Sequence, residues 1–122
     1  MFYETDLPSD ITDLTWRRIL DPATPMLGRI AEQDGEIAGF SISVVHVGTW
    51  FAGPACYLED LFVAPAQRGR GMGRELVQDL VDLGKQNGWA NLYWHTRQTN
   101  PARKLYDEFV GADDFVRYRL SL

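Results

Sequence analysis

A run of alternating glycines and arginines constrains this chain more than any other feature of its sequence. Residues 68–74 read Arg-Gly-Arg-Gly-Met-Gly-Arg, between a β-patterned segment and an amphipathic helical one. Glycine lets backbone amides come close to a ligand, and a helix start offers unpaired N–H groups and the positive end of its dipole. Three arginine side chains add positive charge there. The pattern predicts an anion site, most naturally for phosphate groups, at a strand-to-helix turn.

The spacing of the glycines excludes two familiar phosphate loops. A P-loop requires Gly-x-x-x-x-Gly-Lys followed by Ser or Thr, and the chain contains no such string. The dinucleotide-binding fingerprint requires a third glycine where Arg74 or Leu76 stands. What remains is Arg-x-x-Gly-x-Gly, matched by Arg68, Gly71 and Gly73. A flexible turn with surface arginines is the alternative interpretation, which the strand before and the helix after it disfavour.

The hydrophobic periodicity predicts eight elements in one domain. A chain of 122 residues has the length of a single domain. Period-2 and period-3.6 patterns, with turn residues between them, give the order α, β, β, β, α, β, α, β. The predicted ranges are a helix at 9–20 that starts at Pro8, Ser9 and Asp10, strands at 27–33, 36–47 and 56–63, a helix at 72–87, a strand at 91–96, a helix at 101–109 and a strand at 115–120. This order predicts an α+β fold: a mostly antiparallel sheet with packed helices and a parallel element.

The charge distribution bears on partners. The chain has 17 acidic and 12 basic residues, a formal net charge of −5. Residues 1–36 hold eight acids and three bases, and the rest of the chain is balanced. An acidic chain without a broad basic surface is a poor candidate for binding nucleic acid. The acidic first third is either a solvated surface or an attraction for a cationic ligand.

Other site classes are excluded by residue counts. Cys56 is the single cysteine, so no internal disulfide forms, and with only His46 and His95 beside it a cysteine-rich zinc site is excluded. We expect no metal. No stretch reaches the roughly 20 apolar residues of a membrane span, and residues 1–6 lack the pattern of a secretory signal. A cytoplasmic location without membrane partners is expected.

Three ordered motifs carry a resemblance to a known family. They are the run from Arg68 to Gly73, the preceding strand Tyr-Leu-Glu-Asp-Leu-Phe-Val at 57–63, and Asn-Pro-Ala-Arg-Lys-Leu-Tyr at 100–106 followed by Gly111. Together they resemble the GNAT superfamily of acyl-CoA-dependent N-acetyltransferases. The strand is similar to that of spermidine/spermine N-acetyltransferases and their bacterial relatives. The resemblance covers roughly residues 28–120.

The resemblance implies a fold and a cofactor site. In this family acetyl-CoA binds in a V-shaped gap between two parallel strands that splay apart, here 56–63 and 91–96. The family's first strand and helix precede the position of the helix at 9–20 and are expected to be missing, which leaves an edge that favours a homodimer. The implied cofactor-binding residues are Leu61, Phe62, Val63, Arg68, Gly69, Arg70, Gly71, Met72, Gly73, Arg74, Asn100 and Arg103. Backbone groups of Leu61 and Val63 would pair with pantetheine, and the amides from Arg68 to Arg74 would hold the pyrophosphate.

Acetyl transfer to an amine needs two proton transfers, and the resemblance implies a residue for each. Tyr106 stands where the family places its general acid, and a phenol carries its proton at pH 7. Glu59 matches the base proposed for the polyamine-acetylating relatives, acting directly or through water. A core tyrosine and a structural or substrate-anchoring carboxylate are the alternatives. On an unbroken strand Glu59 and Asp60 point to opposite faces, and Asp60 is expected to be structural.

Four other side chains are weaker candidates. Cys56 on a buried strand is expected to be an inert small hydrophobe rather than a nucleophile. His95 is expected to line the cleft or pack, and His46 carries less signal still. Trp50, in the 48–54 loop, could line an acceptor pocket.

The sequence therefore predicts an acetyl-CoA-dependent N-acetyltransferase. The expected acceptor is a polyamine, a lysine side chain or an amine-bearing small molecule, which the acidic first third would attract. A CoA-binding sensor or partner module without transfer is the first alternative, and a phosphate-binding α/β protein without preference for CoA is the second.

Overall fold

The computed structural model describes residues 9–122, and the predicted elements follow one another in the expected order, except that the last predicted strand is missing. The bounds are α1 (Ser9–Leu20), β1 (Met26–Gln33), β2 (Glu36–His46), β3 (Ala55–Val63), a 3₁₀ turn (Pro65–Gln67), α2 (Met72–Asn87), β4 (Asn91–Tyr93) and α3 (Arg103–Tyr106). Pro8, in the predicted helix start, and residues 1–6, which bear on a secretory signal, lie outside the described residues. Within residues 9–122 no helix is both long and apolar enough to cross a membrane.

The strands form one mixed sheet in the order β1-β2-β3-β4. The pairs β1–β2 and β2–β3 are antiparallel, whereas β3 and β4, which flank α2, run parallel. The β1–β2 turn is the predicted one, because Asp34 and Gly35 both adopt positive φ, 53° and 79°. The α+β class, with antiparallel strands and one parallel pair, is confirmed.

Helices α1 and α2 pack on opposite faces of the sheet. Gly28, which pairs with Ile42, faces Ile19 of α1. Gly39 stands three positions before Ile42 on β2 and faces Leu76 of α2. Since neighbouring strand residues alternate between faces, the two helices lie on different sides. We call these sides the α1 face and the α2 face.

The core lies between the sheet and α2. The apolar side of α2 carries Leu76, Val77 and Leu80, each at most 2% exposed. These side chains pack against Leu58 and Leu61 of β3. Burying each such side chain contributes about 1.5–3 kcal/mol. Glycines bound the helix at both ends: Gly71 precedes it and Gly88 ends it with φ of 72°. The predicted range of 72–87 is confirmed.

Two predicted elements near the C-terminus are shorter, and one is wrong. Strand β4 ends at Tyr93 rather than at residue 96, and the helix predicted at 101–109 has only one α-helical turn, α3, between hydrogen-bonded turns. The strand predicted at 115–120 is absent: these residues are exposed and form no ladder. Alternating apolar residues make a strand only where a neighbouring strand supplies hydrogen bonds and packing.

Candidate active site

The parallel strands β3 and β4 stay paired for only three residues. Ala55, Cys56 and Tyr57 are in register with Asn91, Leu92 and Tyr93, and no later pair follows. Strand β3 continues to Val63, whereas β4 ends at Tyr93. The later residues of β3 therefore have no register partner in β4, and we call the place where the two strands stop pairing, beyond Tyr57 and Tyr93, the V-shaped gap.

A β-bulge lies in β3 where the gap opens. Leu58 pairs with Ser43 and Asp60 pairs with the next residue of β2, Ile42, so Glu59 is the extra residue. The bulge breaks the regular alternation on which the prediction of opposite faces for Glu59 and Asp60 rested. The Glu59 side chain is exposed. Asp60 is half-buried on the α1 face, and burial raises the pKa of its carboxyl.

The residues after the bulge differ in their surroundings. Leu61 is 4% exposed in the core on the α2 face. Phe62 lies on the α1 face, where its ring stacks on Phe40 at 5.4 Å. Val63 ends the strand, and its carbonyl accepts a hydrogen bond from Arg68 Nε at 3.1 Å. The start of the Gly–Arg turn (residues 68–74) is thus bound to the end of β3.

Two glycines of the Gly–Arg turn adopt a backbone that other residues avoid. Gly69 and Gly71 have φ of 81° and 82°, and the space where a β-carbon would stand is open at both. Arg68, Arg70 and Arg74 have exposed side chains, whereas Met72 is buried. Gly71 immediately precedes the first turn of α2, so the turn lies at the helix N-terminus. The unpaired N–H groups of that helix end and the three arginine side chains are therefore close together. This arrangement fits a phosphate-bearing ligand.

Helix α3 packs against the same end of α2. A β-carbon on Gly73 would lie 3.0 Å from Leu105 Cδ2, and Arg74 forms a salt bridge with Glu108. The structure thus brings the Gly–Arg turn and the motif at 100–106 together, although they are about 30 positions apart in the sequence.

Asn100 and Arg103 make local hydrogen bonds. Asn100 Oδ1 accepts the Ala102 N–H at 2.9 Å, and its amide donates to Thr96 Oγ1 at 2.7 Å. Arg103 donates to the Gln98 carbonyl at 3.0 Å. Both side chains therefore shape the turn that leads into α3.

Tyr106 is the most buried residue of α3 and lies beside the V-shaped gap. It is 6% exposed and belongs to the core cluster with Leu58 and Leu61. Its ring lies 5.5 Å from the ring of Trp94, which follows β4. Burial raises the pKa of the Tyr106 hydroxyl, which keeps it protonated at neutral pH.

The α1 face of the β3–β4 pair carries four aromatic side chains in mutual contact. They are His46, Tyr57, Tyr93 and His95, which we call the aromatic–histidine cluster. Sequence reasoning treated the two histidines singly and assigned the tyrosines no role. Tyr93 and His95 are two positions apart at the end of one predicted strand, and this spacing is the signal that was available.

Cys56 lies on the other face of β3 from Tyr57. It is fully buried, and burial raises the pKa of its thiol. A cleft of about 260 Å³ lies between the start of β1 and the end of α2, and is lined by Met26, Leu83 and Trp89 among others. It contains none of the predicted site residues.

The chain is similar to acetyltransferases in sequence and in structure. The model of the "Acetyltransferase (GNAT) family" matches residues 1–112. The D-amino-acid N-acetyltransferase of Saccharomyces cerevisiae is 28% identical over 121 residues, which are 97% of this chain and 75% of that protein. The thialysine N-epsilon-acetyltransferase of Mus musculus is 29% identical over 89 residues, 69% of this chain and 49% of that protein.

Solved structures show the same fold. AAC(6')-Iy, in complex with the bisubstrate analogue CoA-S-monomethyl-acetylneamine, superposes with a TM-score of 0.76 at 23% identity, over 98% of this chain and 84% of that one. The mixed sheet with its splayed parallel pair is thus the fold of these proteins. The chain spans about half the length of the mouse relative and three quarters of the yeast one.

Proposed function

The chain belongs to the acetyltransferase (GNAT) family, and we propose that it transfers the acetyl group of acetyl-CoA to the amino group of a primary amine. The observation that carries the proposal is the V-shaped gap, with the Gly–Arg turn at one side and the buried Tyr106 beside it. Acetyl-CoA carries an activated acetyl group at one end of a long arm and phosphate groups at the other. In this proposal the acetyl group lies in the V-shaped gap and the phosphate groups lie at the Gly–Arg turn.

The Gly–Arg turn would hold the pyrophosphate through its backbone. Positive φ at Gly69 and Gly71 turns successive amides toward one side, and helix α2 adds its unpaired N–H groups. Arg70 is exposed and free to lie along the phosphates, while Arg68 and Arg74 are held by Val63 and Glu108. The backbone of Leu61 to Val63 would run beside the pantetheine arm. In this proposal Phe62, Met72, Asn100 and Arg103 shape the walls.

Tyr106 is proposed to protonate the departing sulfur. The leaving thiolate must gain a proton, and a phenol whose pKa is raised by burial carries one throughout the neutral range. Proton donation by a positioned side chain typically contributes a factor of about 10²–10⁴ to the rate. Tyr106 shares the core cluster with Leu61 of β3, and its ring contacts Trp94, which follows β4, so the residue lies between the chain segments on the two sides of the gap.

Glu59 is proposed to receive the proton that the ammonium form of the acceptor must lose. It is the extra residue of the bulge, its side chain is exposed, and it makes no hydrogen bond or salt bridge with residues 10–122. Such a carboxylate can take the proton directly or through a water molecule. It also offers a negative charge that attracts a cationic amine.

The proposed acceptor class is supported by the names of similar proteins. Two similar proteins carry the names of substrates with amino groups, D-amino acids and thialysine. A small-molecule amine is therefore the proposed acceptor, with a polyamine or a lysine side chain as the remaining members of the class. A cytoplasmic location and pairing of two copies through a sheet edge stay predictions.

The test is thiol release from acetyl-CoA in the presence of pooled polyamines, amino acids, lysine peptides and aminoglycosides. We expect release above the background hydrolysis rate, and a strong loss of release in Tyr106→Phe. The melting temperature with CoA is measured in the same samples, because a ligand that binds the folded state raises it. A shift without release would favour a CoA-binding module, and a nucleotide that shifts it equally would favour a general phosphate site.

A further inference from the structure

The aromatic–histidine cluster is a built surface rather than a set of separate side chains. The Tyr57 and Tyr93 rings stack with centroids 5.0 Å apart and planes 12° from parallel. His95 meets both rings edge-on, at 5.4 Å and 5.9 Å, and His46 meets Tyr93 edge-on at 5.7 Å. Aromatic pairs favour these offset and edge-to-face geometries.

Hydrogen bonds fix the orientation of the cluster. His46 Nδ1 lies 3.0 Å from the Val47 carbonyl, which can only accept, so Nδ1 is the donor. The other ring nitrogen, Nε2, shares a hydrogen bond of 2.7 Å with the Tyr93 hydroxyl. On the other side the Tyr57 hydroxyl lies 3.4 Å from His95 Nδ1. His46 therefore positions Tyr93, which in turn supports the ring of Tyr57.

The cluster borders the V-shaped gap. Tyr57 and Tyr93 are the last register pair before the V-shaped gap, and their side chains are on the α1 face, opposite the core. Burial is the main cause that raises the pKa of Tyr93, and the charge of Glu59, two positions after Tyr57, adds a smaller part. An amine whose nitrogen is beside Glu59 would rest the remainder of its body on these rings.

The surface beyond the cluster is apolar, not acidic. The residues after His46 form a loop in which Val47 is 88% exposed and Trp50 is 85% exposed. Glu59 and Asp60 are the acidic residues of β3, and Asp60 is half-buried. A polyamine needs several carboxylates spaced along its length, whereas β3 and the loop after His46 offer one exposed carboxylate, Glu59, beside several aromatic rings.

Resting on the proposed function, we propose that the aromatic–histidine cluster is the acceptor subsite, and that it selects a monoamine with an aromatic or bulky apolar body over a polyamine. The amino group lies at Glu59 and the body packs on Tyr57 and His95. His46 acts as a positioning residue through Tyr93. Because packing an aromatic body on these rings removes apolar surface from water, we expect kcat/KM for phenethylamine to exceed that for ethylamine by roughly 10-fold or more.

The experiment compares phenethylamine, ethylamine and spermidine as acceptors at saturating acetyl-CoA. In Tyr57→Leu, kcat/KM should fall about tenfold for phenethylamine and stay within about twofold for ethylamine, which is too short to reach the rings. Tyr57→Phe keeps the ring and should keep the preference. His46→Leu should lower the preference mainly through KM. Lys85→Gln, on the exposed far end of α2, is the matched control.

Two results would overturn the inference. One is spermidine as the better acceptor of the wild-type protein, and the other is an equal loss for phenethylamine and ethylamine in Tyr57→Leu with an unchanged melting temperature. In either case turnover itself would leave the proposed transferase standing. No turnover with any of the three amines or the pooled acceptors would refute the transferase, and the subsite with it.

Discussion

Gly73, in the first turn of α2, lies against Leu105 of α3, so that a β-carbon on Gly73 would stand 3.0 Å from Leu105 Cδ2 and 4.0 Å from Val63 Cγ2. The end of β3, the start of α2 and the helix that carries Tyr106 therefore meet at one position without a side chain. The contact sets how closely the proposed phosphate turn approaches the proposed acid.

Substitutions at Gly73 should separate helix propensity from crowding. Gly73→Ala gains up to about 1 kcal/mol of helix propensity, which offsets a small shift of the flexible Leu105 side chain, so its free energy of unfolding should change by less than about 1 kcal/mol. Gly73→Val adds two further methyl groups at the contact and should lose about 1–3 kcal/mol. Urea unfolding measures both. Equal stability of the Val variant and the wild type would contradict the packing.

The backbone of Gly71 should resist a side chain although space is available. With φ of 82° and no atom within 4 Å of a β-carbon, Gly71→Ala meets no clash but adopts a left-handed conformation, at about 1–2 kcal/mol. Gly48 also has open space but lacks positive φ, so Gly48→Ala is the control and should be neutral or slightly stabilising. Urea midpoints compare them. A Gly71→Ala variant as stable as Gly48→Ala would rule out the strained turn.

Tyr106→Phe should lower kcat without a matching change in KM for acetyl-CoA. Loss of a general acid reduces the rate by about 10²–10⁴, whereas the ring still fills the core. Tyr118→Phe, at a position that is 94% exposed, is the control. Full activity of Tyr106→Phe between pH 6 and 9 would mean that another group protonates the thiolate.

The raised pKa of Tyr106 also predicts how stability depends on pH. Burial favours the neutral phenol, so the folded state holds its proton above the ordinary pKa of 10.0. This contribution is complete below about pH 10 and is lost as pH rises through the raised value. Tyr106→Phe should flatten the alkaline loss of stability, while Tyr93 and Cys56, whose pKa values burial also raises, keep part of the slope. An unchanged slope in urea unfolding at high pH would contradict this.

The Arg29–Asp79 salt bridge should tie β1 to α2. Arg29 Nε and Nη2 donate to the two carboxylate oxygens of Asp79 at 2.8 Å and 2.7 Å, with both side chains partly exposed. Asp79→Asn should reduce the free energy of unfolding by about 1 kcal/mol, and Arg29→Lys should lose part of it because lysine cannot form the paired contact. A double-mutant cycle gives the coupling energy between the two side chains. A coupling energy of zero would contradict a stabilising contact between β1 and α2.

Replacement of Ser41 by alanine should increase the free energy of unfolding. Its side chain is fully buried on the α2 face, and its Oγ has no hydrogen-bond partner among residues 9–122. Ser41→Ala removes an oxygen that has lost its water, so we expect a gain of up to about 1 kcal/mol. Ser43→Ala is the comparison and should gain a similar amount, because Ser43 Oγ is equally buried and also has no hydrogen-bond partner among the described residues. Thermal and urea unfolding check both, and a loss above 1 kcal/mol in Ser41→Ala would disprove the unpaired oxygen.

Local chemistry explains which elements were predictable. The Asp34-Gly35 turn, the helix between Gly71 and Gly88 and the positive φ of the glycines in the Gly–Arg turn depend on the conformations that single residues tolerate. The sequence motifs that carry the family resemblance are of the same kind, since each lies within a few neighbouring residues.

The strand predicted at 115–120 shows where this reasoning fails. Phe115, Tyr118 and Leu120 have the spacing and bulk of a strand, yet they are more than 80% exposed and unpaired with the described sheet. A strand is stabilised by its neighbour, so the pattern of one segment cannot decide whether pairing occurs.

By itself the sequence determined the α+β class, the bounds of α2 and the glycine turn before it, because residue conformation and hydrophobic period act over short stretches. Only the tertiary structure decided where β3 and β4 separate, that Glu59 lies in a bulge, and that His46 and Tyr93 meet across 47 positions. These features depend on register and contact between segments that are distant in the chain, and no local pattern encodes them.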